Sequence, residues 1–357
     1  MVAYGVDSNL KLDWLSFTFK ADLALKDSDR FDIIDMPNDH HDPDITGPFM
    51  KHVCFPEGYT EFTLFQEYFP EFNDIWSDTV ILSQRSSFYE RVLCFNDNIR
   101  IQYDDEEYKG KGVNISVPSH GLEWLFNIFS IDVDSPSALP DLLVLLRSRG
   151  CQLSRIDLCF DDFDKTFRPK NYLGWWFNGQ IVTKFRKVNL TACMTEVGHT
   201  FYLGSRQTGK MLRIYDKDVE SKGTVDCVRY EFELHNRYAN EMADYIIQNG
   251  CVDFGGYLRS FFTVVEPGND KKRSRHDPLP EWIAWLRENT SLTNSIVYIP
   301  HYKSPVSLDR LSNWINNYVM PSLHAYVKAV GSENFLRNLY DSSIPDKYRY
   351  LLEHLKC

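Results

Sequence analysis

Apolar and ionisable residues alternate with a period of two along three separate stretches of this chain. In Cys151–Asp162, Arg155, Asp157, Cys159 and Asp161 fall on one side, and Ile156, Leu158 and Phe160 on the other. In Val228–Leu234 and the residue after it, Arg229, Glu231, Glu233 and His235 oppose Tyr230, Phe232 and Leu234. In the second half of Thr200–Lys217, Met211, Arg213, Tyr215 and Lys217 oppose Leu212 and Ile214. Such alternation predicts strands of a sheet with one face in a core and one face polar. If the three strands are neighbours, their polar faces collect four carboxylates, several cations and one tyrosine.

The rest of the pattern fills in around them. Asp13–Phe19, Phe88–Ile101 and Gly112–Pro118 read as further strands from their aromatic and β-branched content. Residues 20–60 are acidic and rich in Asp, Pro and His, and read as a surface excursion. Helical spacing is seen in Leu122–Phe129 with Ser119 as its cap, and in Ser137–Arg149 closed by Gly150. It is seen again in Asn171–Phe177 and in Asn240–Asn249, closed by Gly250. Gly268–Pro278 is polar and turn-rich and reads as a linker. Beyond it Pro280–Glu288, Leu308–Tyr318 and Met320–Val330 are helical, followed by a tail from Glu333 to Lys356.

The expected fold class is therefore α+β: a central antiparallel or mixed sheet with helices packed on one face, followed by a mainly helical C-terminal region. The expected domains are residues 1–267, a linker at 268–278, and a helical region at 279–357. The stripe Leu308, Leu311, Trp314, Ile315, Tyr318, Met320 is expected to pack onto the sheet domain, with a homodimer or helicase contact as the alternative.

Composition narrows the classes. The chain has 357 residues, 43% hydrophobic and 25% charged, enough for a sizeable core and unlike a disordered chain. No stretch approaches 18 uncharged apolar residues and the first residues lack a basic n-region and an apolar h-region, so neither a membrane span nor a signal peptide is expected. Eight cysteines without a C-x-x-C pair suggest reduced thiols in a cytoplasm. The net charge of −11 argues against indiscriminate coating of DNA. Yet Leu145–Tyr230 holds 15 Lys+Arg against 9 Asp+Glu, a net of +6 that leaves −17 for the remainder. A basic centre in an acidic chain suggests local, oriented contact with a polyanion.

The candidate chemistry follows. A tyrosine among cations is placed to attack or hold a phosphate. The carboxylates Asp157, Asp161, Glu231 and Glu233 are hard oxygen donors suited to Mg²⁺ or Mn²⁺. Exposed cross-strand ion pairs with the arginines are the plainer outcome for the same acids. Gly204–Lys210 lacks P-loop spacing and reads as a hairpin loop whose Arg206 and Lys210 reach a phosphate backbone. Arg155 and Arg229 are the other candidates for such contacts.

The order Asp13-Trp-Leu-Ser-Phe-Thr-Phe, Gly112-Val-Asn-Ile-Ser-Val, Ser154-Arg-Ile-Asp-Leu-Cys-Phe-Asp-Asp, Thr200-Phe-Tyr-Leu-Gly-Ser-Arg with Arg213-Ile-Tyr-Asp-Lys, and Arg229-Tyr-Glu-Phe-Glu-Leu resembles the replication initiation factor family. This is the Rep_trans type of rolling-circle initiators of plasmids, integrative elements and filamentous phages. Length and the Trp-rich helical tail look most like the filamentous-phage replication proteins of the RstA kind.

The resemblance covers roughly residues 10–265. It implies metal-dependent nicking of one DNA strand at an origin in a bacterial cytoplasm, with a tyrosine joined to the 5′ phosphate and a 3′ hydroxyl left as primer. Tyr215 matches that tyrosine. Asp157 and Glu231 match the first metal ligands, with Asp161 and Glu233 behind them, and Lys217 and Arg213 would stabilise phosphate charge. Origin DNA is the implied partner, with host helicase and polymerase following. A non-catalytic DNA-binding regulator of the same fold is the alternative. The chain departs from the family at Pro118-Ser-His-Gly121, which stands where a Gly-x-Gly turn is common.

Overall fold

The computed structural model describes residues 10–24, 33–37, 49–53, 60–73, 80–81, 88–95, 99–104, 111–185, 199–268, 276–289, 315 and 319–340. In chain order the elements are β1 (Lys11–Phe19), α1 (Ala21–Ala24), β2 (Ile33–Pro37), β3 (Phe49–Val53), α2 (Glu61–Tyr68), β4 (Val80–Ile81), β5 (Arg91–Phe95), β6 (Ile99–Tyr103) and β7 (Val113–Pro118). Next come α3 (Ser119–Ile128), α4 (Ala138–Ser148), β8 (Cys151–Asp162), α5 (Pro169–Phe177), β9 (Ile181–Thr183), β10 (Thr200–Ser205), β11 (Lys210–Asp216), α6 (Lys217–Glu220) and β12 (Val228–His235). They are followed by α7 (Arg237–Asn249), α8 (Phe254–Phe261), β13 (Phe262–Val264) and α9 (Pro280–Glu288), and by helices Met320–Val330 and Ser332–Tyr340.

Nine strands form one sheet in the order β10-β11-β12-β8-β1-β7-β6-β5-β4. Every neighbouring pair is antiparallel, which resolves the antiparallel-or-mixed expectation. The chain groups into two units, Met1–Asp27 with Gly58–Pro300, and Ser28–Glu57 with His301–Cys357. The large sheet and helices α2–α9 belong to the first unit; the β2–β3 hairpin and the last two helices belong to the second. Among the described residues no helix is long and apolar enough to cross a membrane.

The apolar face of the sheet is fully buried. Leu15, Phe17 and Phe19 of β1, Ile156, Leu158 and Phe160 of β8, Leu212 and Ile214 of β11, and Tyr230, Phe232 and Leu234 of β12 all lie in the core. Aromatic rings dominate the packing against it. Phe160 stacks on Phe254 of α8 at 4.0 Å, Phe232 meets Tyr257 at 4.8 Å, and Tyr230 meets Trp285 of α9 at 5.3 Å. The buried hydroxyls of Tyr172 and Tyr230 satisfy one another at 2.8 Å, which removes the cost of an unpaired polar atom in this layer. At the other end Phe65 of α2 and Phe69, the residue that closes it, pack on Phe19. The high aromatic content is thus largely core.

Local departures from the sequence reading have physical causes. The 20–60 excursion contains the β2–β3 hairpin. Ser119 is the first residue of α3 rather than its cap; Pro118 holds that position with no side-chain bond, so Pro118-Ser-His-Gly121 runs straight from strand into helix instead of forming a loop. Helix α7 starts at Arg237, earlier than its apolar spacing suggests. Gly150 takes φ +78° just beyond α4, and a Cβ there would meet the Ala24 backbone at 2.6 Å, so both backbone shape and space require glycine. Val265 bridges to Pro278, so the two ends of 268–278 meet. Of the Leu308–Met320 stripe only Ile315 and Met320 lie among the described residues.

Candidate functional site

The three alternating strands are adjacent in the sheet, in the order β11-β12-β8, with β1 beside them. Antiparallel register aligns their ionisable residues in rows. Tyr215 stands opposite Arg229, and Arg229 opposite Asp161. In the next row Arg213 faces Glu231, which faces Cys159. In the third Met211 faces Glu233, which faces Asp157 and then Trp14. One sheet face therefore carries the tyrosine and the acids, as the alternation predicts.

Tyr215 is 7% exposed, and its hydroxyl donates to Glu231 Oε2 at 3.0 Å. Arg213 Nη2 donates to Glu231 Oε1. Arg213 Nε is buried without a hydrogen-bond partner, an unsatisfied donor beside the phenol. Lys217 Nζ sits 5.7 Å from the tyrosine ring centroid and pairs with Glu220 at 2.5 Å. Burial first, then the charge of Glu231, pushes the Tyr215 phenol well above its ordinary pKa, against the pull of Arg229 and Arg213.

Asp157, Glu231 and Glu233 are buried and each offers an oxygen within 4.8 Å of the others. Asp157 accepts from Arg155 Nε at 2.9 Å and Nη2 at 2.5 Å. Glu233 accepts from Arg206 at 2.7 and 3.1 Å, and lies 2.7 Å from His235 Nε2 and 3.4 Å from Arg155. Burial raises the Asp157 carboxyl, more than Arg155 lowers it, and the charges of Glu231 and Glu233 add to the rise. Burial also opposes ionisation of Glu233, but the bonds from His235 and Arg206 outweigh it and hold that carboxyl at about 2. Three clustered carboxylates with hard oxygen donors fit a small divalent cation, and such an ion would take over charge that guanidinium groups now neutralise.

The remaining candidates sit differently. Asp161 is gripped by Arg229 at 2.6 and 2.9 Å and by Lys11 at 3.2 Å, so it belongs to an ion-pair cluster and falls outside the carboxylate trio. Arg229 is 0% exposed and also donates to Asp13 at 3.0 Å, so it braces the site from within and has no reach to a nucleic-acid backbone. Arg155 lies 4.5 Å over the Trp14 ring and Arg206 keeps a largely exposed side chain; both remain at the rim of the acids.

The hairpin forms, with β10 and β11 paired antiparallel, but Lys210 does not point out from it. Strand parity sends it to the opposite face, where its ammonium lies 4.1 Å from the Phe261 ring and 5.4 Å from Tyr257. Burial lowers its pKa to about 8. Because the folded value lies below the ordinary 10.5, the fold favours the neutral amine, and the penalty for the ammonium is full below pH 8 and fades as pH rises to 10.5. Lys210→Met is expected to raise stability at pH 7 by about 1–3 kcal/mol, at 1.36 kcal/mol per pKa unit less the lost cation–π contact. Melting curves at pH 7 and pH 10 check this: the gain should shrink at pH 10, with nucleic-acid affinity unchanged.

Asp13 and Lys11 are the site residues that alternation missed. Leu12 pairs with Leu158 and Trp14 with Asp157, so Asp13 is an extra residue in β1. This bulge turns both Asp13 and Trp14 toward the polar face. A period-two reading cannot register it.

Residues 151–339, a little over half of the chain, match the replication initiation factor family, and the chain belongs to that family. No curated protein matches it. Among solved structures, a rolling circle replication initiator protein from Geobacillus stearothermophilus shares the fold with a TM-score of 0.55. It is 18% identical, and the likeness covers 81% of this chain and 99% of that one.

Proposed function

We propose that the chain initiates rolling-circle replication by nicking one strand of origin DNA, with Tyr215 as nucleophile. The observation that carries this reading is the 3.0 Å bond from the Tyr215 hydroxyl to Glu231, on the same face as Asp157 and Glu233. The phenol oxygen attacks the scissile phosphorus as its proton passes toward Glu231. The new bond joins Tyr215 to the 5′ phosphate, the bond from phosphorus to the 3′ oxygen breaks, and that oxygen takes up a proton to become the primer hydroxyl. The raised phenol pKa means that the nucleophile rests protonated, so a proton acceptor in contact with it is part of the chemistry.

Asp157, Glu231 and Glu233 would hold Mg²⁺ or Mn²⁺. Bound there, the ion would polarise the phosphate and stabilise the charge that develops on it. Arg213, through its unsatisfied Nε, and Lys217 would donate to a phosphate oxygen beside the phenol. Arg206 and Arg155 at the rim would contact the flanking backbone. Origin DNA is then the substrate and the bacterial cytoplasm the place of action, with host helicase and polymerase acting on the product.

The test is a single-stranded origin oligonucleotide incubated with the protein and Mg²⁺ or Mn²⁺, resolved on a denaturing gel. A covalent adduct carrying the 3′-side fragment through its 5′ phosphate is expected, with the 5′-side fragment released bearing a 3′ hydroxyl, and with chelator or Asp157→Asn reducing the adduct by at least about 100-fold. Salt-sensitive binding with no adduct would reject nicking and leave a DNA-binding regulator of the same fold.

A further inference from the structure

Phe163 is 61% exposed, and among the described residues only Phe177, at 77%, is a more exposed aromatic side chain. It does not hang from a loose loop. Asp162, itself 2% exposed, accepts from the backbone N–H groups of Asp164, Lys165 and Thr166 at 3.1, 3.1 and 3.2 Å. Lys165 is held in the left-handed region at φ +52° and its ammonium bonds Asp226 at 2.5 Å. Three backbone bonds and a left-handed residue thus fix the segment that holds an apolar ring in water.

Its place in the sheet gives the ring a use. Phe163 follows Asp161 by two positions, in the turn just after β8 ends at Asp162. Asp161 shares a row with Arg229 and Tyr215, two strand spacings or roughly 10 Å away. Lys11 links the two: its ammonium bonds Asp161 at 3.2 Å and lies 5.7 Å from the Phe163 ring centroid. Trp14, the other ring along this edge, is half-buried and already covered by the Arg155 guanidinium at 4.5 Å. Of these two rings Phe163 is the more exposed, and it leaves ring surface open to a ligand beside Lys11.

We propose that Phe163 is a stacking platform for one unpaired base of the strand that Tyr215 attacks, with Lys11 beside it for that nucleotide's phosphate. This rests on the nicking reading and adds a binding subsite to it. An exposed ring next to a cation, on a rigid turn, at the edge of a phosphate-handling surface is the chemistry by which single strands are held without sequence readout. It also accounts for how a buried tyrosine could meet its phosphate: a base parked on the rim draws the backbone down across the row.

The test uses the Tyr215→Phe background, so that binding is read without cleavage, and a fluorescein-labelled single-stranded origin oligonucleotide followed by anisotropy. Phe163→Ala and Phe163→Leu should each weaken binding about tenfold, within what stacking one base on an aromatic ring supplies. Phe163→Trp should restore it, and melting temperatures should not move. A scan of single abasic sites should find one position whose loss weakens binding as much as Phe163→Ala, and the two losses together should not add. Unchanged affinity in Phe163→Ala, or losses that add at every abasic position, would overturn the proposal and leave the ring to a protein contact. Adduct formation by the chain with Tyr215 intact is scored separately. An adduct without base coupling removes the platform alone, and base coupling without an adduct removes the nicking chemistry alone.

Discussion

Tyr215→Phe is expected to abolish the covalent DNA–protein adduct, lowering its rate of formation by at least about four orders of magnitude, as loss of a nucleophile does elsewhere. Origin binding should stay within about twofold. The substitution removes one oxygen and keeps the ring that Arg213 and Lys217 lie against at 5.4 and 5.7 Å. Glu231 loses one hydrogen-bond donor but keeps Arg213, so the stability cost should be about 1 kcal/mol. Glu231→Gln should differ. It removes the proton acceptor and one of the three clustered carboxylates, so Mn²⁺ affinity should fall with the rate, whereas Tyr215→Phe should leave Mn²⁺ affinity intact. A denaturing gel for the adduct and titration calorimetry for the ion separate the two. Cleavage that survives in Tyr215→Phe with free 5′ ends would mean that water, not tyrosine, attacks.

The outcome of that experiment depends on features with different visibility in the sequence. The strands that carry Asp157, Tyr215 and Glu231 were legible because one face is core and the other polar, which is the condition under which period-two alternation is clean. Their adjacency was a supposition that antiparallel pairing of β11, β12 and β8 meets. What alternation could not show is where a residue goes once its face is known. Arg229 and Glu231 read alike as polar-face residues, yet one braces the cluster from beneath and the other contacts the phenol. Lys210 looks like a hairpin cation, but it is the first residue of β11 and parity sends it among aromatic rings. Asp13 was hidden by a single inserted residue, since a bulge shifts every later side chain by one. The β2–β3 hairpin lies in an acidic stretch with little apolar periodicity to announce it. Phe163 carried no signal at all, because exposure of a ring depends on Asp162 bonds that only the fold makes visible.

Arg229→Ala is expected to cost about 3–5 kcal/mol of folding stability, because it strips the partner from buried acids. The guanidinium is fully buried, bonds Asp161 through Nε and Nη2, and bonds Asp13 through Nη1. Burial raises the Asp161 carboxyl, but the Arg229 bonds together with Lys11 outweigh that effect and hold it below the ordinary value. Burial already raises Asp13, and Arg229 is the largest charge opposing that rise, ahead of Lys217. Without Arg229, Asp13 would favour its protonated form more strongly, and Asp161, left with Lys11 at 3.2 Å, would be held ionised less firmly. The sign follows: in the intact protein the Asp161 pair stabilises the fold above the ordinary carboxylate pKa and is lost as pH falls through the depressed value, whereas in Arg229→Ala stability should improve as pH falls toward 5 and Asp13 neutralises. Urea unfolding of both proteins at pH 7.5 and pH 5 measures this. A gap that narrows at the lower pH identifies the arginine as a structural counter-charge. An unchanged unfolding curve with weakened DNA binding would instead place Arg229 on the nucleic acid, which its burial argues against.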